Sequence, residues 1–165
     1  CRPRIAGMDR PEVVQAWDVL TGRAFVGPKV LVVGGGTVGC ETAEYLADRH
    51  RDVTVIEMLD TLAGDMPKVP RAYLMHRLDQ FGVELLTETQ LAAVNDMGVL
   101  VERSGSRRLL EGFSNVVLAT GSRPNDALTD ALRPLIDDVN VVGDASKVSR
   151  ICDATAAAAE AALAL

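Results

Sequence analysis

Cysteine is scarce in this chain: Cys1, Cys40 and Cys152 are the only three among 165 residues. None stands in a CxxC or CxxxxC pair, and their wide spacing gives neither a zinc site nor a disulfide framework. No metal site is expected, and the thiols read as buried or incidental. The odd count and the lack of an N-terminal apolar h-region fit a reduced, cytoplasmic setting. No stretch approaches the ~20 apolar residues of a membrane span. Positive charge is also in deficit, with 17 Lys and Arg against 23 Asp and Glu for a net charge of -6. An electrostatic grip on nucleic acid or on an anionic membrane is therefore not expected. The two histidines, His50 and His76, have no partner pattern and read as ordinary surface or helix residues. A Tyr-x-x-x-Lys pair is missing too, since Tyr45 is followed by Arg49 and Tyr73 by Arg77, which argues against a short-chain dehydrogenase.

What remains is the composition of an ordinary globular domain, 48% hydrophobic and 24% charged. A chain of this length is expected to form about one domain and to bury roughly two thirds of its unfolded surface. The first residue is Cys1 rather than Met, and the alanine-rich run 154–165 carries no helix-stopping Gly or Pro, so both ends read as cut from a longer chain.

Residues 1–28, punctuated by Pro3, Gly7, Pro11, Gly22, Gly27 and Pro28, read as a connecting arm with one short helix over residues 12–20. The apolar run 29–33 predicts a parallel strand buried on both faces. It leads through Gly34-Gly35-Gly36-Thr37-Val38-Gly39 into a helix over residues 37–49, followed by a β-branched strand over 52–57. Leu74, Leu78 and Phe81 predict a further helix ending at Gly82, with a third strand over 83–86. Residues 91–94, 99–102 and 108–111, separated by two tight turns, predict an antiparallel meander. Apolar strands are predicted again over 115–118 and 139–142, and the last helix from Asp153 onward is rich in alanine, a composition suited to close packing against a neighbour. The fold class is therefore α/β, a Rossmann-like parallel sheet flanked by helices with an antiparallel β-meander insertion.

The glycine cluster carries the chemistry because of its placement. Gly34, Gly36 and Gly39 follow a strand and open a helix, and Glu57 closes the next strand at about the twenty-residue distance of a dinucleotide fingerprint. Gly34 allows the tight turn, Gly36 lets the backbone approach a pyrophosphate, and Gly39 lets the helix pack close to the sheet. The helix N-terminus offers N–H groups and a positive dipole end to the diphosphate. Glu57 can accept hydrogen bonds from a ribose 2′-OH but would repel a 2′-phosphate, and Met58, Leu59, Asp60 and Thr61 supply no arginine to offset it. NAD(H) is therefore preferred over NADP(H). The plainer alternative is that Glu57 solvates a strand end.

The stretch from Val30 to Glu57 resembles the NAD(P)H-binding domain of the pyridine nucleotide-disulfide oxidoreductase superfamily, in which the phosphate loop is followed by Gly-x-Glu, matched by Gly39-Cys40-Glu41. Ala119-Thr120-Gly121 is similar to the family's ATG motif, and Gly143-Asp144 to its GD motif, which contacts FAD. Arg2-Pro3-Arg4 and Asp18-Val19-Leu20 resemble the crossover from the FAD domain. Within the superfamily, Glu57-Met58-Leu59-Asp60 and the Asp18 element resemble the C-terminal region of the NADH:flavin oxidoreductase, 2,4-dienoyl-CoA reductase and 2-enoate reductase group, which carry an N-terminal Old Yellow Enzyme-like barrel.

The resemblance implies residues 1–28 as the arm from an FAD domain, 29–124 as the NAD(H)-binding domain, and 125–165 as a return segment belonging in part to the FAD domain. It implies a cofactor site made of Gly34, Gly35, Gly36, Thr37, Val38, Gly39, Glu41, Glu57, Met58, Ala119, Thr120, Gly121, Gly143 and Asp144. NADH held there would pass hydride to FAD, and electrons would go on to an enoate, enoyl-CoA or similar acceptor. Glu41 would position the nicotinamide and flavin, its alternative role being a first-turn carboxylate that complements the helix dipole. The chain has no second glycine fingerprint, so FAD is expected in the intact protein only, and the isolated piece is expected to be inactive. The implied partners are NADH, the FAD domain and the substrate barrel. A competing reading is a non-catalytic module holding ADP as a structural ligand, as in trimethylamine dehydrogenase-like flavoproteins.

Overall fold

Val30, Leu31, Val32 and Val33 are all buried, and because successive strand residues point to opposite faces, this run needs cover on both sides. The computed structural model, which describes residues 3–164, supplies that cover with two different layers. Cys1, Arg2 and Leu165, including the first residues of the expected crossover, lie outside the described residues. The chain divides into two compact units with the break after Gly121.

In the first unit, five parallel strands form a sheet: β1 (Val13–Gln15), β2 (Lys29–Val33), β3 (Asp52–Ile56), β4 (Glu84–Leu86) and, last in the chain, β8 (Asn115–Leu118). Their order is β1-β8-β2-β3-β4. Val30 and Val32 of β2, Val53 and Val55 of β3 and Val117 of β8 join a core with α1 (Ala16–Leu20), α2 (Thr37–Ala47) and α3 (Lys68–Gln80). Leu31, Val33, Ile56, Val116 and Leu118 join a second core with β5 (Gln90–Asn95), β6 (Gly98–Arg103) and β7 (Ser106–Leu110), which form the expected antiparallel meander. The parallel sheet thus has helices on one face and the meander on the other.

Turn chemistry holds the meander together. Asn95 Oδ1 accepts from the N–H groups of Met97 and Gly98, and Ser104 and Gly105 both take the left-handed conformation that a two-residue hairpin requires. Ala6 bridges to Ala93, and Val94 N–H donates to Ala6 O, so the N-terminal arm lies along this layer.

Three expectations need correction. The helix expected over 12–20 is half strand: Val13 and Val14 pair with Val116 and Val117, and only Ala16–Leu20 is helical. The β-branched pair gains more from the open edge of β8 than from a helix, and Val13 is buried there. The strand expected over 139–142 pairs with no other strand among the described residues, although Val142 keeps extended dihedrals. The final helix begins earlier than expected, as α5 (Ile151–Leu163), and none of its residues is buried. The second unit also contains α4 (Ala127–Leu132), which the sequence reading did not include.

Leu31→Ala should lower stability by roughly 2–5 kcal/mol, whereas Phe25→Ala, at a side chain 91% exposed, should stay within about 0.5 kcal/mol. Urea unfolding of the two variants measures this contrast. Cys40 is fully buried in α2, and desolvation pushes its thiol from 9.0 up to about 11. The folded state therefore retains a proton that the unfolded chain releases, and stability falls as pH rises from about 9 towards 11. Denaturant titrations across that window should show a loss that the Cys40→Ala variant lacks. Thiol labelling at neutral pH should reach the exposed Cys152 and spare Cys40 until the chain unfolds.

Candidate functional site

At the carboxyl end of β2 the chain must leave the sheet between the ends of β3 and β8, and the glycines permit it. Gly34 has φ +102°, and a Cβ there would come within 2.6 Å of Ala119 O. Its N–H donates to Ile56 O at 2.9 Å. A Cβ on Gly39 would overlap Gly34 O, so α2 can start this close to the strand only without a side chain at that position. Gly36 is the N-cap of α2, and a Cβ there would meet, among the described residues beyond its chain neighbours, only Asp65 Oδ1, at 3.9 Å.

Gly35 lies beneath the loop. Its N–H donates to Glu57 Oε2 at 2.6 Å, and its carbonyl accepts from Ala63 N–H at 2.7 Å and from Cys40 Sγ at 3.3 Å. The Leu62 side chain fills the place a Cβ on Gly35 would take. Glu57 is 9% exposed and follows β3 directly. Its Oε1 accepts from Leu59 N–H at 2.8 Å. It is therefore not a solvated strand end, because both carboxylate oxygens already hold backbone donors and fix the loop.

The first intrahelical bond of α2 runs from Cys40 N–H to Gly36 O, so the N–H groups of Thr37, Val38 and Gly39 precede it. Thr37 N–H donates to Asp65 Oδ1 at 3.0 Å. Glu41 lies beyond the first turn, which holds no acidic residue, so the dipole role considered for it has no geometric basis. Burial, with Glu44 and Asp65 adding to it, raises the Glu41 carboxyl above its ordinary value.

These elements border a cleft of 370 Å³ whose lining includes Gly34, Gly36, Glu57, Met58, Ala119 and Thr120, on a floor of Ile5, Val33, Ile56 and Leu91. It lies where β2 has β3 on one side and β8 on the other, which is the switch-point position that receives ligands in open α/β sheets. Its volume falls in the usual range for small-molecule sites. Met58 is 64% exposed at its rim. A glycine backbone face at a helix N-terminus beside a carboxylate is the chemistry that could hold a phosphate and a ribose hydroxyl. Gly121 follows Thr120 with φ +83°. Gly143 and Asp144 lie in the second unit, in a single 3-10 turn, with Asp144 Oδ1 accepting from Ser149 N–H at 3.3 Å.

The support that the loop of residues 57–66 gives the glycines is not evident from the sequence. Ala63 adopts φ +45° while fully buried, and Arg71 Nε secures the loop through Leu62 O at 2.7 Å. Nothing local marks these roles, since Asp65 meets a donor 28 residues away in sequence. Among the described residues, no helix is long and apolar enough to cross a membrane.

Residues 7–160 match the model of the family described as pyridine nucleotide-disulphide oxidoreductase. The chain is 38% identical over 158 residues to an NADH oxidase of Thermoanaerobacter brockii, covering 92% of this chain and 24% of that protein. It is 37% identical over 145 residues to a bilirubin reductase of Mediterraneibacter gnavus, covering 88% and 22% respectively. A 2-naphthoyl-CoA reductase structure superposes with a TM-score of 0.87 at 29% identity, covering 93% of this chain and 24% of that one. The chain thus spans about a quarter of the length of these proteins. By its glycine loop, its sheet order and this likeness over most of its length, the chain belongs to the pyridine nucleotide-disulphide oxidoreductase family.

Proposed function

We propose that the chain is the NADH-binding domain of a flavin-dependent oxidoreductase whose electrons pass to an enoate, an enoyl-CoA or a similar acceptor. The observation that carries this reading is the cleft at the end of β2, which Gly34, Gly36 and Glu57 line together. Likeness to an NADH oxidase and to a 2-naphthoyl-CoA reductase supports the class of donor and of acceptor. NADH supplies the hydride, and the flavin of the intact protein receives it.

The residues of this chain position the nucleotide. Gly36 leaves the backbone bare for the diphosphate, and the amides opening α2 supply the donors. Glu57 accepts from the ribose with lone pairs that Gly35 and Leu59 leave available, since each carboxylate oxygen can take more than one donor. Met58 and Ile5 offer apolar surface for the adenosine, and Ala119 and Thr120 line the opposite wall. Glu41, one turn along α2, has the positioning role towards nicotinamide and flavin that the family resemblance implies. Residues 1–28 act as the arm between domains, 29–124 as the NAD(H)-binding part, and 125–165, with Gly143 and Asp144, as part of a flavin-binding domain. Glu57, with no cation among the four residues after it, favours NADH over NADPH.

Calorimetric titration of the chain should show NADH binding more tightly than NADPH and more tightly than ADP. Equal affinities for ADP and NADH would favour the structural ADP module instead. Because Glu57 also holds two backbone donors, Glu57→Arg should weaken NADH and NADPH together and lower stability by about 1–3 kcal/mol. Met58→Arg, at the exposed rim, should instead move the NADH to NADPH affinity ratio towards NADPH while leaving the melting temperature nearly unchanged. A Glu57→Arg chain of full stability that simply exchanged its preference would contradict this division of roles.

A further inference from the structure

The space above Gly36 holds a negative charge. Asp65 Oδ1 accepts from Thr37 N–H at 3.0 Å, and the same oxygen lies 3.9 Å from where a Cβ on Gly36 would be. An anion arriving at the bare face of Gly36 and the first amide of α2 therefore meets a carboxylate already there. This carboxylate is carried on a loop that is anchored to Gly35 through Glu57 and Ala63 and to α3 through Arg71. Its charge also reaches the surrounding groups, contributing to the raised carboxyl of Glu41 and the raised thiol of Cys40.

We propose that Asp65 is a resident stand-in for the dinucleotide diphosphate, capping α2 when the cleft is empty and displaced when the nucleotide binds, so that it sets the affinity of the site. This inference rests on the nucleotide-binding reading of the cleft. The physics is competition for one donor: Thr37 N–H can serve the carboxylate or a phosphate oxygen, and two like charges beside one helix N-terminus repel each other. Asp65 would thus keep binding weak enough for product to leave, a property suited to a domain that must exchange nucleotide at each turnover.

Asp65→Asn separates charge from shape, because the amide oxygen can still accept from Thr37 N–H. Calorimetry of the wild-type and Asp65→Asn chains with ADP, NADH and adenosine, at low and high salt, tests the proposal. The variant should bind ADP and NADH roughly three- to tenfold more tightly at low salt, with the gain shrinking at high salt and with adenosine unaffected. An unchanged or weaker ADP affinity in the variant, with the wild type binding, overturns the role of Asp65 and leaves the nucleotide reading standing. If neither chain binds ADP or NADH, the nucleotide reading fails and this inference fails with it. Should the variant not fold, carbon-detected NMR of the wild-type carboxylates carries the same test. The Asp65 carboxyl resonance should move on saturation with ADP and stay in place with adenosine, and a resonance unmoved by ADP overturns the proposal.

Discussion

The site depends on one hydrogen bond, the 2.6 Å contact from Gly35 N–H to Glu57 Oε2. It joins the loop after β2 to the end of β3, and so converts two strand ends into the walls of one cleft. The carbonyl of the same residue is held from below by Ala63 N–H and Cys40 Sγ. A glycine loop in water would sample many conformations at substantial entropic cost to any ligand that orders it. Held at both its amide and its carbonyl, this one is ordered before a ligand arrives.

That bond is possible because the sheet is covered on both faces. The apolar strands β2, β3 and β8 carry one set of side chains into the helical core and the alternate set into the meander core. The three strands end together at the carboxyl edge, where Gly34, Glu57 and Ala119 leave the sheet side by side. The packing that stabilises the strands also fixes the separation of the groups that line the cleft, so the core and the site share one geometry.

The sequence made this edge legible where the signal was local. The run 29–33, the glycines and Glu57 each announce a role within a few residues, and the structure has the run as β2, the glycines at its exit into α2, and Glu57 directly after β3, which ends one residue earlier than expected. It was illegible where a residue depends on a distant partner. Val13 and Val14 become a strand only because β8 offers them an edge. Residues 139–142, with a similar apolar pattern, find no paired strand among the described residues. Asp65 looks like any loop acid until the fold brings it to Thr37. The position of Glu57 at a strand end announces a ligand-facing carboxylate, whereas its hold on the Gly35 and Leu59 amides follows from burial that periodicity cannot report.

If a nucleotide binds in the cleft at the end of β2, as proposed, amide NMR of the chain during NADH addition will locate it there. The expected perturbations cluster at Gly34 to Gly39, at Glu57 and Met58, and at Ala119 and Thr120, with little change at the separate cleft of 420 Å³ beside Arg10, Asn95 and Gly112. Perturbations centred on that second cleft, or none at the glycine loop under saturating NADH, would contradict that proposal.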